Sequence, residues 1–273
     1  MNAPISSPRL DVGKALGEGW RAFRRAPWLF VGFGLVLTGL QLALQAFQPT
    51  VSADKLPPLT PDLILNDWAA QLPRLTYGTV TLGLLLLTAV LGVVANLWGT
   101  CGMVRAAWVA LGGRTPTVGT FIRWDPRALL RLYLPGFLLA CGVAFAVVVL
   151  VLLAVVLSQV SPWLVLPSAL LLVVGAVYLS VSQMFLPQVA LLHDDHPFDA
   201  LARGRAVVDP VWPQVVLLAL LNAGLLLAGV LACGVGLFVA MPVVICVATA
   251  AYRQLFGPDD RTGLTRRELE ARG

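Results

Sequence analysis

Apolar stretches long enough to cross the hydrocarbon core of a bilayer, about 20 residues each, recur along the whole of this chain. They cover residues 28–48, 76–104, 132–157 and 163–192. A further stretch, from Trp212 to Phe256, is too long for one crossing and suits two. Gly234-Val235-Gly236 lies inside it, and glycine accepts the backbone angles of a tight turn. Spans are therefore placed at 212–233 and 236–256. The pattern predicts an all-α polytopic membrane helix bundle with six transmembrane helices. Residues 1–257 form one membrane domain in this reading, and 258–273 form a charged cytoplasmic tail.

The segments between spans carry patterns of their own. After Ser7-Pro8, a good helix start, Val12, Leu16, Trp20 and Phe23 recur at helical spacing and mark one face. Lys14, Arg21, Arg24 and Arg25 sit largely off that face. A basic amphipathic helix with aromatics suits the surface of an anionic leaflet, so these four cations are read as lipid-facing. Pro27-Trp28 then turns the chain into the first span. A similar layout precedes the third span, over 114–131, and the fifth, over 196–208, where Asp209-Pro210 ends the helix. Ala15-Leu16-x-x-Gly19 matches Ala200-Leu201-x-x-Gly204 residue for residue. Three repeats follow, each an interfacial helix plus a helical hairpin, over 8–111, 112–192 and 193–256. Residues 49–75 form the one substantial outer loop. Thr60-Pro61-Asp62 starts a short helix there, reaching to Leu72.

Charge fixes the orientation. Only 12% of residues are charged and 58% are apolar, with mean hydropathy +0.84. A soluble domain carries about 25% charged residues, so water cannot be the solvent for most of this chain. The net charge of +5 does not indicate nucleic acid, because no basic stretch is interleaved with stacking aromatics in a polar domain. Of the 19 lysines and arginines, all but Lys55 and Arg74 fall in segments that an even number of spans places on one side. The positive-inside rule makes that side cytoplasmic. Both termini are then cytoplasmic, and the expected site is the bacterial inner (plasma) membrane, with the thylakoid as the internal counterpart. The first apolar stretch exceeds the 7–15 residues of a signal-peptide core, so it reads as a retained helix.

Candidate chemistry is sparse. His193-Asp194-Asp195-His196 gathers two imidazoles and two carboxylates, the ligand types of a divalent metal site. The competing reading is a polar loop capping a helix, with Asp195 or His196 as N-cap, Pro197 in the first turn and Asp199 at the positive helix end. We favour the cap, and expect no metal and no cofactor. Cys101, Cys141, Cys233 and Cys246 lie in or against apolar runs and read as small core residues. None of the six span cores holds an Asp, Glu, Lys, Arg or His, which argues against a proton relay. Arg105 and Arg253 fall at cytoplasmic ends, where long side chains snorkel. Asn96, Gln183, Gln188 and Asn222 are the polar residues near membrane depth. They suit interhelical hydrogen bonds, while Asn96, Gln183 and Asn222 are the possible lining of a substrate path. Pro187 and Pro242 are expected to kink their spans. There is no nucleophile elbow, zinc-protease helix or Walker lysine, so an enzyme is not expected.

Met184-Phe185-Leu186-Pro187, Gly234-Val235-Gly236, Met241-Pro242 and Ala251-Tyr252-Arg253-Gln254-Leu255-Phe256-Gly257, together with Ala15-Leu16-x-x-Gly19-Trp20 and Pro27-Trp28, resemble a broad family. It comprises uncharacterised bacterial multi-pass membrane proteins related to the membrane domain attached to some glycerophosphodiester phosphodiesterases. The resemblance covers about residues 8–257 and implies a helical plasma-membrane protein. It transfers no active site, because the phosphodiesterase catalytic domain has no counterpart here. The expected role is non-enzymatic: interaction, scaffolding or membrane homeostasis, with anionic lipid headgroups or a membrane-protein partner. The alternative is a permease or flippase for a neutral or amphiphilic substrate.

Overall fold

Asp11 begins the first helix. Its side chain accepts a hydrogen bond from the Lys14 amide at 2.9 Å and so caps a donor that the first turn leaves unpaired. In this computed structural model, residues 10–47, 72–158, 161, 163, 165–193, 196–232 and 234–264 are described. Ser7-Pro8, the outer loop up to residue 71 with its expected helix start, and most of the connection around 159–164 lie outside them, while residues 72–75, expected in that loop, are already helical. The elements are α1 (Val12–Arg24), α2 (Pro27–Ala46), α3 (Leu72–Leu111), α4 (Val118–Ile122), α5 (Pro126–Ser158), α6 (Val165–Ser182), α7 (Leu186–Leu192), α8 (Pro197–Val208), a 3₁₀ turn (Asp209–Val211), α9 (Trp212–Leu231) and α10 (Leu237–Phe256).

Among the described residues the fold is all-α, and 6 helical stretches are long and apolar enough to cross a membrane. They are Pro27–Ala46, Gly83–Leu111, Pro126–Ala154, Leu170–Leu192, Phe198–Leu231 and Leu237–Phe256. The third begins before residue 132, because Asp125 caps it through the Arg127 and Ala128 amides and Pro126 occupies its first turn. The segment expected as one interfacial helix over 114–131 is instead the five-residue α4 followed by this cap. Gly234 turns between α9 and α10 with φ +76°, and Gly236 lies so near Gly229 that a Cβ would meet the Gly229 Cα at 2.8 Å. Pro242 is inside α10 as expected, and Pro135 is inside α5. Pro187, which has no N–H to donate to the Gln183 carbonyl four residues back, follows an outright break rather than a mild kink. The fourth span breaks at Gln183–Phe185, and Pro187 sits in the first turn of a separate helix. Three times a short helix (α1, α4, α8) precedes an apolar hairpin.

The chain forms two compact units. One comprises residues 35–96, the far parts of α2 and α3. There Gln41 Nε2 donates to the Gly92 carbonyl at 3.1 Å. The other comprises residues 1–34 and 97–273. Its core is concentrated where spans start and finish. Residues 101–110 of α3, 188–192 of α7 and 246–252 of α10 are buried without interruption, whereas α5 exposes residues 140–149 in succession. Trp28, Trp124 and Trp163 are exposed near span ends, in the manner of an aromatic belt.

Candidate functional site

Three glycines bring the short helices onto their supports in the larger unit. At Gly19 of α1 a Cβ would lie 2.6 Å from the Val247 Cα of α10. At Gly102 of α3 a Cβ would lie 2.4 Å from the Phe121 carbonyl of α4. Gly204 of α8 faces the Gln183 side chain and the Ser182 carbonyl at the end of α6, at the looser distances of 3.5 and 3.7 Å. Small residues permit such close backbone approach. Each short helix thus docks on the last helix of the preceding hairpin, and the first docks on the last of all. The matched pair Ala15 and Ala200 is buried in both cases.

The α1 contact revises the amphipathic reading. Its buried face is Ala15, Gly19, Ala22 and Phe23, while Trp20 is exposed. Of the expected stripe, Phe23 therefore lies on the packing face and Trp20 off it. Asp11 N donates to Gln254 Oε1 at 2.9 Å, so α1 and the end of α10 meet again one helix length away. Lys14, Arg21 and Arg24 are exposed. Arg25 is also exposed in part, but its guanidinium donates to the Ala110 carbonyl at the end of α3 and is thereby tied to protein.

Arg105 departs from expectation. It does not snorkel; it is fully buried and donates to the carbonyls of Thr120 at 3.3 Å and Arg123 at 3.1 Å. Trp98 Nε1 donates to the Ile122 carbonyl at 3.1 Å. The last carbonyls of a helix lack partners within it. Two side chains of α3, two turns apart, therefore cap α4, and Gly102 between them lets it close in. The sequence carried this signal as Trp98, Gly102 and Arg105 at spacings of four and three.

At the ends of α3, α7 and α10, Trp108, His193 and Tyr252 come together. Tyr252 Oη and His193 Nδ1 are 2.5 Å apart, and the Trp108 and Tyr252 rings meet edge to face at 6.0 Å. Phe256 stacks on Tyr252 at 4.7 Å, and the Arg253 guanidinium lies 5.3 Å from the Trp108 ring centroid. Residues 257–264 continue without helix and fold beneath. Arg261 N donates to Leu192 O at 3.0 Å, and Thr262 Oγ1 donates to Leu191 O at 2.7 Å. This part of the expected solvated tail is bound to the end of α7.

The histidine tetrad divides. His193 is buried, and His196 is exposed at the N-cap position of α8, with Pro197 and Asp199 in its first turn. Asp194 and Asp195 lie outside the described residues. Among the described residues no three His, Cys, Asp or Glu side chains are grouped to hold a metal. Of the expected polar lining, Asn96 belongs to the smaller unit. Gln183 and Asn222 are buried in the larger one. Gln183 Oε1, Ser182 Oγ, Gln188 Oε1 and both amide atoms of Asn222 have no hydrogen-bond partner among the described residues. Such groups are uncommon and call for an explanation. Cys101 and Cys246 are buried thiols, whereas Cys141 is exposed.

Comparison with protein-family models, curated proteins and solved structures finds no match.

Proposed function

We propose that this chain is a non-enzymatic protein of the bacterial inner membrane, with both termini cytoplasmic, that acts through contacts with lipid and with other membrane proteins. One observation carries this reading. The most apolar window of the span Pro126–Ala154 is 0% buried within the protein. Internal packing is spent at one end of the spans, and the flank of α5 is left to whatever occupies the bilayer. Lys14, Arg21 and Arg24, exposed on α1 beside Trp20, suit anionic headgroups on the same leaflet. Basic side chains near such a surface contribute about 1 kcal/mol each. A photoreactive residue in place of Phe145 or Leu152 tests the idea in intact cells. A discrete protein adduct, or labelled lipid of defined headgroup, is expected. If the purified protein instead moves a solute across liposomes and Asn222→Ala abolishes that flux, the reading fails.

The second reading, a permease or flippase for a neutral or amphiphilic molecule, draws on the interrupted fourth span. Discontinuous helices with unsatisfied polar groups are the usual ground for substrate and ion sites in transporters.

A further inference from the structure

The break between α6 and α7 is chemically one-sided. Gln183 is about nine-tenths buried, and its Oε1 has no donor among the described residues, although its Nε2 lies 3.5 Å from the Leu201 carbonyl. Ser182 Oγ and Gln188 Oε1 flank the break, buried and equally without donors. Every unsatisfied side-chain atom of Ser182, Gln183 and Gln188 is an oxygen. Opposite, Gly204 presents no side chain. A Cβ there would stand 3.5 Å from Gln183 Oε1 and 3.7 Å from the Ser182 carbonyl oxygen. Two oxygens thus face the bare backbone of Gly204, and a methyl group there would meet both at ordinary contact distance. The C-terminal end of α6 adds the negative pole of its dipole.

We propose that this break binds a small monovalent cation, held by the neutral oxygens of Gln183 and Ser182 against the bare face of Gly204. Unwound carbonyls and half-helix C-termini coordinate sodium in this manner within membranes. Neutral oxygens suit a single charge; calcium is usually held with carboxylates. Arg203 and Arg205 flank Gly204 on α8, and Asp209 follows that helix. Arg205 donates to the Tyr178 hydroxyl at 3.0 Å, and that hydroxyl donates to Asp209 at 3.5 Å. The site stands apart from the reading given above: a membrane scaffold or a permease would hold the ion alike.

The test is thermal unfolding of the purified protein in detergent, in sodium, potassium or N-methyl-D-glucamine chloride at one ionic strength. Sodium or potassium should raise Tm saturably, by roughly 3–6 °C at about ten times Kd. Gly204→Ala fills the space at ordinary contact distance, so it should fold and lose the shift. Gln183→Leu should lose it too, and Gln183→Glu should enlarge it. Equal Tm in the three salts would overturn the proposal. So would an undiminished shift in Gly204→Ala, which would place the effect elsewhere.

Discussion

A single hydrogen atom decides two of the contacts described above. Gly19→Ala drives a methyl group to 2.6 Å from the Val247 backbone, where neither helix can yield cheaply. We expect a loss of about 1–3 kcal/mol, the usual cost of overpacking. Gly17, two residues earlier on α1, has nothing within 4 Å of its would-be Cβ. Gly17→Ala should therefore stabilise by up to about 1 kcal/mol, the helix-propensity gain alone. Unfolding both variants side by side in detergent separates packing from propensity; equal effects would deny the contact. Tyr252→Phe removes the hydroxyl that meets His193 and keeps the ring stacking on Phe256. A buried hydrogen bond of this type contributes about 0.5–1.5 kcal/mol. A loss well beyond that range would mean that the hydroxyl has a second role.

For the elements, α4 offers the clearest case. Five residues cannot sustain a helix in isolation, and α4 persists because Trp98 and Arg105 hold its terminal carbonyls. Arg105→Lys keeps the charge but loses the fork that reaches two acceptors. It should release α4 and speed tryptic cleavage at Arg114 and Arg123, with the spans intact. Unchanged digestion would show that α4 does not depend on this cap. Hydropathy did not reveal Arg105, because in sequence it borders a span end and fits a snorkelling residue. Its burial depends on where residues 118–123 return, which no local pattern encodes. The packing face of α1 was hidden for a related reason. Hydrophobic periodicity weights large side chains, and Val12, Leu16, Trp20 and Phe23 dominate it, whereas the buried face runs through the small residues Ala15, Gly19 and Ala22 and shares only Phe23 with that stripe. The break at Gln183–Phe185 was signalled by Pro187 alone, because apolar character continues through it.

At the level of the whole molecule, solvent is the strongest constraint, and it was legible. Five candidate spans fall within several residues of those read from apolar runs, and the fifth in order, Phe198–Leu231, also takes in the helix before residue 212. The turn at Gly234 was legible as well, from glycine alone. Which helix docks on which was not, apart from the shared Ala-Leu-x-x-Gly at α1 and α8. The contact of Asp11 with Gln254 brings the first and last described helices together. Cysteines placed at these two positions, in a background lacking the native four, should join through a short bifunctional reagent and share accessibility to an impermeant label. Labels reaching them from opposite faces would refute both the contact and the even number of crossings.

Because α1 rests on α10, α1 leaves the ribosome well before the helix that seats it is inserted. Until then its glycine face has no counterpart, and α1 is held unseated. Chains truncated before residue 237 should remain in that immature condition and be recognised by membrane proteases, even with their earlier hairpins correctly threaded. Synthesising α10 as a separate fragment should rescue them.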